Sequence, residues 1–307
     1  VLRLKHPATG VDTGRALALT CDGNHRWCAL DPRRGTALVV AEGVANLACA
    51  GARPLALVNC LNFGNPEHPT TMWELSEAID GMAEACRALS VPVVGGNVSL
   101  YNESRGRDID PTPVVGMVGM IDRLVSPPPG AGLVEGTRLV VLGAGPDTLS
   151  GSRWAWRQGH KAGSPPALDL AAHRVVCDLV RDLVADGLVL GVKDTADGGL
   201  GVALAEMAAA SGVGAVVRAP EGADHRWVYG ETPSRFVLAV DPAAVAEVHR
   251  RHTAAGVAAA VVGEAGGGRL AIEGLAGGAN VDAPAADVVA AWRGALPALL
   301  GHGTTQG

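Results

Sequence analysis

Apolar positions in residues 71–89 recur at helical spacing, with Leu75, Ile79, Met82 and Cys86 on one stripe. Thr70 or Thr71 is placed to cap that helix, and Glu74 follows Thr71 by three, as in a capping box. The same period marks helices over 36–50, closed by Gly51, and over 168–185, where Leu170, Val175, Leu179 and Leu183 lie together. Further helices are predicted over 200–210, 243–255 and 287–300, with a short helix or irregular segment at Trp154 and Trp156. Short apolar runs bounded by Gly, Pro, Asn and Asp read as strands over 14–21, 54–59, 112–121, 138–142, 188–192, 214–217 and 236–240. Residues 26–30 read as a return strand after the turn Asp22-Gly23-Asn24, and 257–262 is expected to pair with 269–272. Residues 301–307 read as a frayed end.

Strands that alternate with long helices after an early hairpin predict an α+β chain. The prolines of Val125-Ser126-Pro127-Pro128-Pro129-Gly130 hold an extended segment without internal hydrogen bonds. They divide the sequence into a first domain, 1–124, a proline-rich linker, 125–130, and a second domain, 131–307. The first domain is expected to carry a mixed or antiparallel sheet with helices on one face. With 307 residues, 48% of them apolar, each domain can bury a core.

A formal charge of -6, from 25 basic and 31 acidic residues, gives no field for nucleic acid. No uninterrupted apolar run reaches the length of a membrane span, so no membrane partner is expected. The opening Val-Leu-Arg-Leu-Lys-His-Pro lacks a signal-peptide core and reads as mid-strand, which predicts a piece of a longer protein. Six cysteines, none in a Cys-x-x-Cys pair and most inside apolar runs, predict free thiols in a reducing compartment. Cys21, His25 and Cys28 offer half a zinc site, but no second ligand pair follows.

Candidate chemistry sits in two places. The stretch from Asn59 to Glu103 carries amide-rich turns at both ends of one helix, and its second turn reads Gly95-Gly96-Asn97-Val98-Ser99-Leu100-Tyr101-Asn102-Glu103. Read as a loop after a strand, Gly95 to Ser99 brings backbone N–H groups to an anion without a blocking Cβ. The bland alternative is a strand–helix–strand unit with rigid turns. The second place is Asp194-Thr195-Ala196-Asp197-Gly198-Gly199, between a strand and a helix. Its two carboxylates offer hard oxygens and the helix start offers N–H groups, a Mg²⁺–phosphate pattern. Equally, Asp197 caps the helix and Asp194 fills a turn. Asp22 and Asp31 could hold a metal, against the simpler readings of an Asp-Gly hairpin turn and an Asp-Pro helix lead-in. His173, His249 and His252 read as solvated or satisfied helix residues. The dinucleotide fingerprint, the P-loop pattern and the nucleophile elbow are all absent.

Three segments resemble phosphoribosylformylglycinamidine synthase: Val-Asn-Cys-Leu-Asn-Phe-Gly-Asn-Pro-Glu-His-Pro at 58–69, Pro-Val-Val-Gly-Gly-Asn-Val-Ser-Leu-Tyr-Asn-Glu at 92–103 and Pro-Thr-Pro-Val-Val-Gly-Met-Val-Gly at 111–119. Asp-Thr-Ala-Asp-Gly-Gly-Leu at 194–200 and Gly-Glu-Thr-Pro-Ser-Arg-Phe at 230–236 follow in the same order. The resemblance covers essentially the whole chain. It implies two synthetase-like domains, the second an α/β sandwich, and a chain similar to the second of that enzyme's two homologous halves. A Glu-Thr-His-Asn-His-Pro-Ser segment, which the family carries in its first half, is missing here.

The resemblance further implies an ATP- and Mg²⁺-dependent cytoplasmic ligase of purine biosynthesis. ATP activates the formamide oxygen of formylglycinamide ribonucleotide, and ammonia from a glutaminase subunit displaces phosphate. The first half, the glutaminase and a small accessory subunit are the implied partners, and without them two copies of this chain are expected to pair. Gly95, Gly96, Asn97, Ser99, Asn102 and Glu103 would line the substrate cleft, and Asp194, Asp197, Gly198 and Gly199 a second nucleotide site. Asp22, Asp194 and Asp197 would hold the metal. Two departures weaken that metal site: Asn59 stands where many relatives carry Asp, and Ala45-Asn46 replaces an Asn-Asp pair. A neutral amide oxygen binds Mg²⁺ less well than a carboxylate. The competing expectations are a non-catalytic phosphate- or nucleotide-binding module, or another member of the superfamily such as a kinase.

Overall fold

The computed structural model describes residues 1–146 and 148–301. The first-domain elements are β1 (Leu2–Lys5), β2 (Asp12–Gly23), α1 (His25–Leu30), α2 (Pro32–Cys49), β3 (Arg53–Asn62), α3 (Pro69–Leu89), β4 (Val93–Ser99), β5 (Glu103–Ser104), β6 (Arg107–Asp108) and β7 (Thr112–Ile121). In the second domain are β8 (Arg138–Leu142), α4 (Arg153–Arg157), α5 (Leu170–Ala185), β9 (Gly191–Asp194), α6 (Gly199–Ser211), β10 (Ala215–Arg218), α7 (His225–Tyr229) and β11 (Phe236–Val240). It closes with α8 (Val245–Ala254), β12 (Ala259–Ala265), β13 (Arg269–Glu273), β14 (Val281–Pro284) and α9 (Ala285–Leu299).

The first sheet runs β1-β2-β7-β3-β4. Only β3 and β4 are parallel, joined by the crossover helix α3. Along β7 buried and half-buried residues alternate strictly, so Val115, Met117 and Ile121 face the helices while Val114, Gly116 and Val118 face outward. The second sheet runs β14-β13-β10-β12-β8-β11-β9, with β10 and β13 its parallel pair. Helices cover both of its faces. Leu200, Leu204 and Met207 of α6 and Val228 of α7 pack on one side, Val180 and Leu183 of α5 on the other. The α+β organisation and the second-domain sandwich match the sequence reading. One apolar core crosses the boundary, from Val115 and Met117 through Val40 and Val44 of α2 to Val180 of α5 and Phe236. The segment between β7 and β8, which holds the three prolines, has no helix or strand.

Several local expectations change. Residues 26–30 form α1 instead of a return strand, because the Asn24 side chain accepts from Trp27 N–H as an N-cap and Trp27 and Cys28 are buried. Helix α3 begins at Pro69 with no side-chain cap, so neither Thr70 nor Thr71 caps it. Ile79 and Val175 lie 46% and 43% exposed, off the stripes assigned to them. Strand β9 starts three residues later than expected, because pairing with β11 begins at Gly191. Strands β12 and β13 do not pair with each other, since β10 lies between them. His173 is buried and satisfied, His249 is exposed, and His252 bonds Val257 O and His249. Of the frayed end expected over 301–307, residues 302–307 lie outside the described residues.

Candidate functional site

Two groups of candidate residues occupy separate places. The first is at the free edge of the first sheet. Gly95 to Ser99 is strand β4, not a loop, with Asn59 opposite Gly96 and Asn62 opposite Ser99. Successive N–H groups of a strand point to opposite sides, so the convergent nest drawn from the sequence does not form. The open edge presents alternate N–H groups along an exposed line that includes Gly95, Gly96 and Asn97. Gly96 is required by close packing: a Cβ there would lie 1.9 Å from Asn59 Oδ1.

Asn102 staples this region. Its Nδ2 donates to Ser99 O at 2.9 Å and to Phe63 O at 3.0 Å, and its Oδ1 accepts from the Ser99 hydroxyl. The Ser99 proton is therefore engaged, which leaves that oxygen as an acceptor. Asp108 holds the facing turn by accepting from Asn65 N–H and pairing with His68 at 2.6 Å. Gly64 permits this approach, since a Cβ there would lie 2.5 Å from Asp108. Glu103 is exposed on the β5–β6 hairpin.

The second group gathers where α1 and α2 meet the second domain. Asp22 ends β2 as a buried side chain, not as a turn residue, and accepts from Thr20 Oγ1 and Asn46 Nδ2, both at 2.7 Å. Burial pushes its pKa up to about 6, with help from the charge of Asp194. Glu42, one turn before Asn46 on α2, is pushed well up by burial and by Asp194 and Asp22. Asp194 is raised mainly by burial, against the pull of Lys193.

Asp197 leaves this acidic group. Arg26 reaches it at 2.5 Å and Arg153 at 2.6 Å, and although burial pushes its pKa up, the two guanidinium groups bring it down. It does not cap α6, whose N-cap is Gly198 without a side-chain bond. Glu231 occupies that helix start instead. Its Oε1 accepts from Gly198 N–H at 2.8 Å and Arg153 N–H at 2.5 Å, and its Oε2 from Arg26 at 2.9 Å. Arg26 and Glu231 are each 2% exposed. Burial pushes Glu231 up, opposed by Arg26 and the two N–H groups. An internal carboxylate thus sits where an anion at the start of α6 would sit. Gly199 N–H is turned to Ala196 O.

Among the described residues no three His, Cys, Asp or Glu side chains are gathered at metal-ligand spacing. Mg²⁺ can be held with fewer protein ligands, one or two carboxylates together with the phosphates of a bound nucleotide, for which Asp22 and Asp194 are the candidates. The charge of Asp194 raises Asp22 and both raise Glu42, while the Asn46 amide turns its N–H, not its oxygen, to Asp22. Arg26, Arg153 and Glu42 were not among the candidate residues of the sequence reading, and Glu231 entered it only within the segment 230–236 that carries the resemblance. A lone acid inside the apolar run of α2 was the available signal for Glu42. The other three are joined by contacts far apart in sequence, which no local pattern reveals.

No helix among the described residues is long and apolar enough to cross a membrane. Residues 5–121 match the family described as AIR synthase related protein, N-terminal domain, and residues 134–274 its C-terminal domain. The phosphoribosylformylglycinamidine synthase subunit PurL of Moorella thermoacetica is 44% identical over 291 residues, 94% of this chain. The chain spans 39% of that relative's length. In fold, Thermotoga maritima PurL complexed with FGAR superposes with a TM-score of 0.74 at 19% identity, covering 90% of this chain and 46% of that one. Thiamine-monophosphate kinase of Stenotrophomonas maltophilia superposes at 0.64 with 17% identity, covering 89% of this chain and 92% of that one. The chain belongs to the AIR synthase related protein family, with that family's N-terminal domain followed by its C-terminal domain, and among its relatives are PurL subunits of phosphoribosylformylglycinamidine synthase.

Proposed function

We propose that the chain is one synthetase half, the second, of a phosphoribosylformylglycinamidine synthase. That enzyme is an ATP-dependent carbon–nitrogen ligase that converts formylglycinamide ribonucleotide, ATP and glutamine-derived ammonia to the amidine, ADP and phosphate. The observation that carries this reading is the 44% identity to a PurL subunit across 94% of the chain. On this reading the ammonia-dependent step needs a homologous half, use of glutamine adds a glutaminase and a small accessory subunit, and the chain, which spans 39% of that relative, is inactive alone. Related T. maritima PurL structures carry FGAR and ATP, which supports a nucleotide and a ribonucleotide as ligands. An enzyme of this kind works in the cytoplasm, and the six free cysteines fit a reducing compartment.

On this reading the edge of β4 lies against the substrate. Gly95 and Gly96 keep the edge clear, Asn97 offers an exposed amide, and Ser99 accepts from a sugar hydroxyl. Asn102 acts by holding the loops in place, and exposed Glu103 takes sugar hydroxyls or a bridging Mg²⁺. Mg²⁺, held by Asp22 and Asp194, would neutralise charge on phosphate oxygens. Asp197 serves the second nucleotide site by holding Arg26 and Arg153 and not by binding metal. Gly198 and Gly199 reach a nucleotide there only when Glu231 swings away, so the chain's own carboxylate keeps that site closed.

The homologous half covers the outer face of the first sheet. That face exposes Leu19 by 64% and Val58 by 46%, beside half-buried Val114 and Val118. The site assignment is tested by titrating formylglycinamide ribonucleotide into the chain recombined with the first half of a PurL relative. Ser99→Ala should weaken binding by about 1 kcal/mol, one neutral hydrogen bond. Equal affinities remove β4 from the site.

A further inference from the structure

Among the described residues, five buried side-chain atoms lack any hydrogen-bond partner: Trp27 Nε1, Thr195 Oγ1, Thr232 Oγ1 and the Nε and Nη2 of Arg235. All four residues line one small cavity between α1, the segment after β9 and the segment before β11. Elsewhere buried polar groups find partners, so this convergence calls for an occupant. We propose that the cavity is a binding site for a single small monovalent anion of halide size, held by the Arg235 guanidinium and the Thr195, Thr232 and Trp27 donors.

Charge and inventory favour an anion over water alone. Arg235 is 1% exposed, and its one hydrogen bond runs from Nη1 to the Trp227 carbonyl. The Trp227 ring lies 5.2 Å away, and among the described residues no carboxylate comes within ion-pair distance. Burial alone moves its pKa, down to about 10. A buried cation without a counter-charge is among the costliest arrangements in a folded chain. Three of the orphaned atoms are donors only, and two hydroxyls can turn to donate, so the occupant must accept several bonds. Water accepts two and must then donate two more.

Size and surroundings set the class of anion. About 30 Å³ of the cavity is open to the centres of water-sized groups, room for one halide or about two waters. Glu42 and Asp194 also border it, and their carboxyl groups disfavour a multiply charged guest. The donors come from three separate segments, so one bound anion would tie α1 to both segments that frame Asp194–Gly199.

Two measurements decide it. Crystals of the whole chain in sodium bromide, examined by anomalous scattering, should show a bromide peak within hydrogen-bond reach of Arg235 and a threonine hydroxyl. Thermal unfolding in sodium bromide should exceed that in sodium gluconate at equal ionic strength, gluconate being too large to enter. Above saturation, each tenfold rise in bromide should raise Tm by about 2–4 °C. Arg235→Met should abolish that dependence. Thr232→Val, a smaller change, should weaken the bromide peak if the arginine variant fails to fold. A cavity without a peak at saturating bromide, or identical melting in the two salts, overturns the proposal.

Discussion

Removing the Glu231 carboxylate tests whether the ionic clasp between the domains is as buried as its geometry implies. In Glu231→Ala, Arg26 keeps Asp197 but loses the partner that shares its burial. Deleting one member of a buried pair costs about 3–5 kcal/mol, because the remaining charge stays out of water. Gly198 and Arg153 lose the acceptor of their N–H groups as well. Partial relaxation of the exposed side of Asp197 keeps the total within that range rather than adding every loss. Glu231→Gln retains a carbonyl oxygen for one of the N–H groups and should cost less, about 1.5–3 kcal/mol. Arg153→Ala removes a guanidinium that is half exposed, worth about 0–1 kcal/mol. The expected order in urea unfolding is therefore Glu231→Ala, then Glu231→Gln, then Arg153→Ala, with m unchanged. Added phosphate should restore part of the loss in Glu231→Ala alone, by taking the vacated helix start. Loss below about 1 kcal/mol in Glu231→Ala, or equal losses in all three, would refute a buried clasp.

Acid should act through two opposed groups. His173 is buried neutral, its Nε2–H donating to Ala41 O and its Nδ1 accepting from the Ser234 hydroxyl, and burial lowers its pKa to about 4. Below its ordinary 6.5 the unfolded chain takes a proton that the folded chain refuses, so stability falls by about 3 kcal/mol from pH 6.5 to 4. Asp22, raised to about 6, keeps a proton that the unfolded chain releases above 3.8, so its contribution rises by about 3 kcal/mol as pH falls from 6 to 3.8. Urea midpoints in chelator should thus lose more on acidification in Asp22→Asn than in wild type, and equal slopes would remove the opposition. Gly96→Val should destabilise the first domain with or without ligand, because its Cβ meets Asn59; unfolding that matches wild type would show that the strand can yield. The exposed apolar face of the first sheet should pair copies of the isolated chain, and sedimentation equilibrium giving only monomer at micromolar concentration would count against that.

Much of the architecture was legible because it is local. Helix α5 and strand β7 follow their hydrophobic periods, and glycine at the end of α2 is where a left-handed residue sits without a Cβ penalty (Gly51, φ 71°). The misreadings share a cause. Asp22-Gly23-Asn24 has the composition of a hairpin turn, but Asn24 caps the next residues as a helix and that helix buries Trp27 and Cys28. Gly95-Gly96 looks like a loop, yet the glycine lets β4 approach Asn59 of β3. The arginine partners of Asp197, 171 and 44 residues away, lie outside any local pattern. Asp194 and Asp22 were found as candidates, while Glu42, which completes their electrostatic group, was hidden in a run of small apolar residues.

The central claim, a synthetase half that works only with its homologue, is tested most directly by phosphate release. The assay supplies ATP, Mg²⁺, formylglycinamide ribonucleotide and ammonium to the chain alone, to the first half of a PurL relative alone, and to the two mixed. The account predicts ribonucleotide-dependent turnover on the order of 1 s⁻¹ in the mixture and none in either half. Comparable turnover by this chain alone would contradict it, as would a mixture that forms a complex and stays inactive.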